Sequence, residues 1–261
     1  MKYKVDFISH RGKIRAKNED NAYINGRYRE DVEESIWQYK EEFLDNALLA
    51  VFDGVGGERG GETASKIAAQ TMDEYNNGCF TKNIMDYIYE VNFRISTNTN
   101  RKMATTYAAV SIEDNIYHFS NIGDSKGYLC RNGKLRKMTK DHNTVQLLVE
   151  EGLLTEEQAK KHPQRHVIYQ ALGMQEEDIE PEPYISEKQN AQEGDLLLLC
   201  TDGVTDMITE AEIEEILLDK MIQNKAKIIV DRAMEKGGKD NITALIVEAV
   251  SYTHLRAHET R

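Results

Sequence analysis

Only three cysteines occur in the 261 residues, Cys79, Cys130 and Cys200, and no two of them form a CxxC pair. An odd, scattered count excludes a disulfide framework and points to inert thiols in a reducing compartment. Long apolar runs are missing as well. No stretch approaches the ~20 residues that span a bilayer, and Met1 to His10 lacks the apolar core of a signal peptide. Positive charge is in deficit: 33 Lys and Arg stand against 45 Asp and Glu, a formal net charge of −12. That balance argues against a nucleic-acid backbone as the main partner, because phosphates need Lys and Arg. The expectation is a cytoplasmic protein with no membrane and no nucleic-acid partner. Low-complexity linkers and internal repeats are also absent.

What is present is ordinary globular material, 40% hydrophobic and 30% charged, at a length that suits one large domain with a core of its own. Strands are expected at Val5 to Ile8, Leu48 to Phe52, Thr105 to Ile112, Ile116 to Ile122 and Ile242 to Val250. Asp195 to Cys200 is the most apolar of them. Gly127 to Cys130 and Lys134 to Met138 flank Asn132-Gly133, a hairpin signal. Helical spacing covers Glu62 to Asn76, Asn83 to Asn98 and Lys225 to Lys236. Two capping boxes, Thr209 with Glu212 and Thr155 with Gln158, mark further helix starts. Strands in hairpin-like runs interrupted by paired helices read as α+β. Residues 1–250 are expected to form a single domain. Residues 251–261 show no apolar periodicity and are expected to be an appended or disordered tail.

Acids recur where strands stop. Asp53 follows the Leu48 to Phe52 run, Asp124 follows Ile122-Gly123, Asp202 follows Cys200-Thr201, and Asp240 precedes the last strand. In Asp53-Gly54, Gly123-Asp124 and Asp202-Gly203 a glycine adjoins the acid and permits close backbone approach. One Asp-Gly is ordinarily only a turn. Repetition at strand ends suggests carboxylates gathered around hard divalent cations, which prefer oxygen ligands.

The ordered motifs carry a resemblance. They are Gly12 to Asp20, Asp53-Gly54-Val55-Gly56-Gly57, Gly60 to Ser65, Ala104-Thr105-Thr106, Asn121 to Ser125, Thr139 to His142, Ala171-Leu172-Gly173, Thr201 to Asp206 and Gly237 to Thr243. Together they span about residues 5 to 250 and resemble the metal-dependent protein phosphatases of type 2C in their compact bacterial form. The resemblance implies a four-layer α-β-β-α sandwich, two antiparallel sheets flanked by helices, with a small helical flap near 140–173 that gates substrate. It implies a serine/threonine phosphatase using two Mn²⁺ or Mg²⁺ ions and a bridging water. Asp53 would bridge the ions, and the Gly54 carbonyl would join the second. Asp202 and Asp240 would hold the first, while Glu19 and Asp20 would act near the second through water. Asp124 with Asp202 matches a third, weaker site, and Arg15 would grip the phosphate. Implied partners are phosphorylated proteins, a Ser/Thr kinase among them, acted on by a monomer.

Departures accompany the match. Val55 stands where some relatives carry a His that serves as general acid, and Glu58 where bacterial forms usually carry one. No protein general acid is therefore named. Ala104 replaces the usual Gly, and Asn25 to Asn46 is longer and more acidic than expected, a hairpin or helical insert. Glu58 and Ala104 keep open an alternative, a regulatory metal-binding module of the same fold with little turnover. His142 is read as a helix-start or surface residue, and Thr105 and Thr106 as structural.

Overall fold

Alternation within strands sets the layers. In Ala47–Phe52 every residue is buried, yet successive side chains enter different cores: Leu49 and Val51 face one, Leu48, Ala50 and Phe52 another. A strand covered on both faces reads as a continuous apolar run, which is how Leu48 to Phe52 appears in the sequence. The computed structural model describes residues 1–30, 36–44, 46–56, 60–76, 78, 80–98, 103–174 and 181–251. The tail from 252 onward, Gly57, Glu58 and Cys79 lie outside the described residues.

The first sheet contains β1 (Lys2–His10), β4 (Ile36–Leu44), β10 (Lys126–Arg131), β11 (Lys134–Lys137), β14 (Leu196–Cys200) and β15 (Ile242–Val250). Its order is β11-β10-β14-β15-β1-β4, antiparallel throughout. The second contains β2 (Asn21–Ile24), β3 (Arg27–Tyr28), β5 (Ala47–Phe52), β8 (Tyr107–Glu113), β9 (Ile116–Ile122), β12 (Tyr184–Ile185) and β13 (Gln189–Asn190). It runs β12-β9-β8-β5-β2-β3, with β13 also on β9. A small pair, β6 (Gly54–Val55) and β7 (Ala104–Thr105), completes the set.

Three cores make four layers. Val5, Phe7, Val51, Val110, Phe119, Leu199 and Val247 meet between the sheets. Helices α1 (Gly60–Tyr75) and α2 (Phe80–Thr97) cover the second sheet through Ala68, Met72, Ile88 and Val91. On the first sheet lie α5 (Asp202–Thr205), α6 (Glu210–Leu218) and α7 (Lys225–Glu235), through Val204, Ile213, Ile229 and Ala233. The α-β-β-α sandwich expected from the sequence is therefore the fold. Two short helices, α3 (Thr144–Glu150) and α4 (Glu156–Ala159), occupy the 140–173 segment, and Thr155 and Gln158 form the expected capping box. No helix among the described residues is long and apolar enough to cross a membrane.

The hairpin turns follow their residues. Asn132 and Gly133, like Asp114 and Asn115, have positive φ, as turns matched to strand twist require. The Asn25 to Asn46 insert takes a form the sequence did not specify. Asn25-Gly26 turns β2 into β3, and the chain then supplies β4, which pairs with β1 from Lys2↔Leu44 to His10↔Ile36. The described part of the insert is thus a hairpin turn followed by an edge strand, with no helix, and Trp37 anchors that strand edge-on against Phe7 with ring centroids 4.5 Å apart.

Candidate metal centre

Asp53 leaves β5 at the end where both sheets stop, and neighbouring threonines fix its backbone. Thr106 N donates to the Asp53 carbonyl at 2.8 Å, Thr105 Oγ1 to the same oxygen at 2.9 Å, and Asp53 N to Thr106 Oγ1 at 3.0 Å. This divides the strand expected at Thr105 to Ile112: Thr106 turns to Asp53, so β7 and β8 are separate. The structural reading of the two threonines holds in that sense. Gly54 presses on α1, where a methyl group on it would lie 2.1 Å from the Gly61 carbonyl oxygen and 2.6 Å from that of Glu19.

Asp20 is fully buried at the hub of a hydrogen-bond network. Its Oδ2 accepts from Thr201 Oγ1 at 2.8 Å and Thr243 Oγ1 at 2.6 Å, joining the ends of β14 and β15. Its Oδ1 is buried without a hydrogen-bond partner. Asn241 clamps the loop that carries Arg15. Its amide donates to the carbonyls of Arg11 and Lys17, both at 2.8 Å, and its oxygen accepts from Glu19 N at 2.7 Å. Arg15 Nη2 donates to Asp240 Oδ2 at 2.6 Å.

The carboxylates act on one another. Burial, then the charges of Asp202, Asp20, Asp124 and Asp240, raise Asp53 well above the usual carboxylate range. Burial pushes Asp20 up to about 7 against the two threonine hydrogen bonds. Burial and then Asp202 raise Asp124 to about 7, opposed by Lys126. Asp202 also reaches about 7, through burial, Asp206 and Asp240. Glu19 is raised mainly by burial, and Arg15 is raised chiefly by its bond to Asp240. Like charges in a low-dielectric site disfavour ionisation. A divalent cation removes the conflict, and hard cations take carboxylate oxygens. An orphaned buried oxygen on Asp20 beside mutually repelling acids fits such an ion.

The model of the protein phosphatase 2C family matches residues 25–236. The chain belongs to that family. This protein phosphatase 2C is 33% identical over 258 residues to the serine/threonine phosphatase stp of Listeria innocua, covering 94% of this chain and 95% of that one. It superposes on the crystal structure of the Mycobacterium tuberculosis serine/threonine phosphatase PstP/Ppp with a TM-score of 0.78 at 29% identity, covering 96% and 100% of the two chains. The PstP catalytic domain in complex with two manganese ions gives a TM-score of 0.74 at 29% identity, covering 95% and 100%. The chain is a metal-dependent serine/threonine protein phosphatase.

Sequence reasoning missed several residues of this phosphatase. His142 is not a surface residue: it is 4% exposed, and burial and Lys140 lower its pKa to about 4. Its N donates to the Gly123 carbonyl at 2.9 Å, and its Nδ1 accepts from Gly123 N at 3.3 Å. Asn143, not His142, caps α3. His166, on the 140–173 segment, brings Nδ1 to 3.5 Å from Asp206 Oδ2 and 3.9 Å from Asp202 Oδ2. Asp206 had a signal, one helical turn beyond Asp202 within a quoted motif. His166 had none, because an exposed loop histidine looks like any other.

Proposed function

We propose that Asp53, Asp202, Asp240, Asp20 and the Gly54 carbonyl hold two Mn²⁺ or Mg²⁺ ions, with Glu19 acting through water and Asp124 with Asp202 serving a third. One observation carries the reading: acids from five separate chain segments, residues 20, 53, 124, 202 and 240, bear on Asp53 or on each other. Ions bound there would lower the pKa of water and screen phosphoryl oxygens. The chain's own residues then orient the phosphomonoester. Arg15, half exposed, places Nη2 on Asp240, and a guanidinium has five N–H donors, so it can also grip phosphate oxygens as a planar fork. Asn241 and Gly12 keep its loop in place; a methyl group on Gly12, at φ 82°, would lie 2.1 Å from the Asp240 carbonyl oxygen.

The reading takes residues 1–250 as one phosphatase domain with 140–173 as a flap over the acids, supported by the approach of His166 to Asp202. Its substrates are phosphoserine and phosphothreonine proteins, a Ser/Thr kinase among them, consistent with the names of the relatives. A cytoplasmic, monomeric protein of kinase-phosphatase signalling completes it, and the free, buried Cys130 and Cys200 suit a reducing compartment. Purified protein with Mn²⁺ should hydrolyse p-nitrophenyl phosphate and a phosphothreonine peptide. EDTA should abolish turnover, and Asp53→Asn should lower kcat by about a thousandfold or more, a metal ion contributing several kcal/mol of transition-state stabilisation. Turnover that survives both treatments would exclude the assignment.

A further inference from the structure

A buried cation sits among these acids, and the mechanism above makes no use of it. Lys126, the first residue of β10, has a side chain only 15% exposed. Its Nζ donates to the Asp124 carbonyl at 2.9 Å and lies 3.4 Å from Asp141 Oδ2. Lys137 reaches the other oxygen of Asp141, also at 3.4 Å. Burial opposes the Lys126 charge, and Asp141, Asp124, Cys200 and Asp202 together favour it and raise its pKa.

Asp141 stands at the root of the 140–173 segment, and that root is stitched to the Asp124 loop. Lys140 N donates to Asn121 Oδ1 at 3.1 Å, and Asn121 Nδ2 to the Lys140 carbonyl at 2.7 Å. His142 N closes the joint on the Gly123 carbonyl. Lys126 therefore touches the backbone of Asp124 with the same atom that faces the carboxylate at the root of the segment. Its charge bears on both Asp124 and Asp202, whereas Asp141 bears on Asp124 less strongly than Lys126 does.

We propose that Lys126 is a positioning residue: an internal cation that ties the Asp124 loop to the root of the 140–173 segment and competes with a metal ion for the field of Asp124 and Asp202. The inference rests on the reading that these two acids take the weaker ion. It makes two substitutions move metal binding in opposite directions, which a purely structural ion pair does not do. Removing the lysine charge should tighten the weakest Mn²⁺ event. Removing the Asp141 charge leaves Lys126 less neutralised and should weaken it. A unit charge several ångströms away, at an effective dielectric constant of about 20 or more, is enough for about a tenfold change.

The experiment is Mn²⁺ titration of wild type, Lys126→Met, Lys126→Arg, Asp141→Asn and the Lys126→Met/Asp141→Asn double variant, by calorimetry and by the paramagnetic resonance signal of free Mn²⁺. Lys126→Met is expected to bind the weakest ion about tenfold tighter, Asp141→Asn several-fold weaker, and Lys126→Arg within about twofold of wild type. Should Lys126→Met fail to fold, the double variant removes both charges of the Lys126–Asp141 pair and is expected to tighten the same event several-fold, since Lys126 outweighs Asp141 at Asp124. A Lys126→Met or double-variant isotherm that superimposes on wild type, or shifts in the same direction as Asp141→Asn, overturns the proposal. Two tight ions without a weak one would overturn it while leaving the Asp53 reading standing. No Mn²⁺ binding at all would remove both.

Discussion

Asp20 is fully buried, its Oδ2 accepts two threonine hydroxyls and its Oδ1 accepts none. Thr243 Oγ1 also lies 2.8 Å from Ser9 Oγ, so one hydroxyl links two buried groups. Thr243→Val keeps the shape and removes both contacts. It is expected to destabilise the metal-free protein by about 1–3 kcal/mol, the cost of leaving a buried polar group unsatisfied. Denaturant unfolding in EDTA measures this, and Mn²⁺ affinity should fall with it. At this scale the positions of Asp53, Asp124, Asp202 and Asp240 were legible, because a carboxylate at a strand end, beside a glycine in the first three cases, is visible in one dimension. Lys126 and His166 were not, because nothing local separates a buried lysine or a site-facing histidine from a solvated one. The burial of His142 belongs to the same class, since it depends on a loop nineteen residues away.

Among the elements, the capping boxes at Thr209 and Thr155 are chemically alike and mechanically different. Thr209 caps α6, whose Ile213, Ile216 and Leu217 are buried in the outer core of the first sheet. Thr155 caps α4, a four-residue helix that buries only Ala159. Thr209→Ala should cost about 1 kcal/mol of global stability, the usual worth of such a cap. Thr155→Ala should leave the unfolding midpoint unchanged and instead speed amide exchange locally around residues 155–162, because weakly anchored segments open without the rest. Unfolding curves and hydrogen exchange on the two variants distinguish these outcomes. The elements themselves were read well from periodicity. The features not read, Thr106 leaving its strand and the later part of the insert pairing with β1 as β4, occur where a partner across the fold decides the pairing.

For the whole molecule the raised carboxylates set a pH dependence. Unfolded aspartates lose their protons near 3.8, whereas burial and neighbouring acids hold the protons of Asp20, Asp124 and Asp202 in the folded chain until about 7. Between those values the folded state binds more protons, so stability falls as pH rises. In EDTA the melting temperature is expected to drop from about pH 5 to about pH 8, and saturating Mn²⁺ should reverse the trend because it binds only the ionised, folded site. Scanning calorimetry across that range checks it, and a metal-free melting temperature that rises through the window would contradict the assigned burial. The sequence by itself determined the α+β pattern, the β-turn positions, the acids and their order along the chain, since period-two alternation, Asn-Gly turns and strand-end glycines are local properties. Only the tertiary structure decided that residues 20, 53, 124, 202 and 240 crowd into one charged neighbourhood, that Lys126 joins the Asp124 backbone to Asp141, and that the insert extends the first sheet. Those facts depend on which strand ends meet, and long-range pairing is decided by the packing of both sheets together.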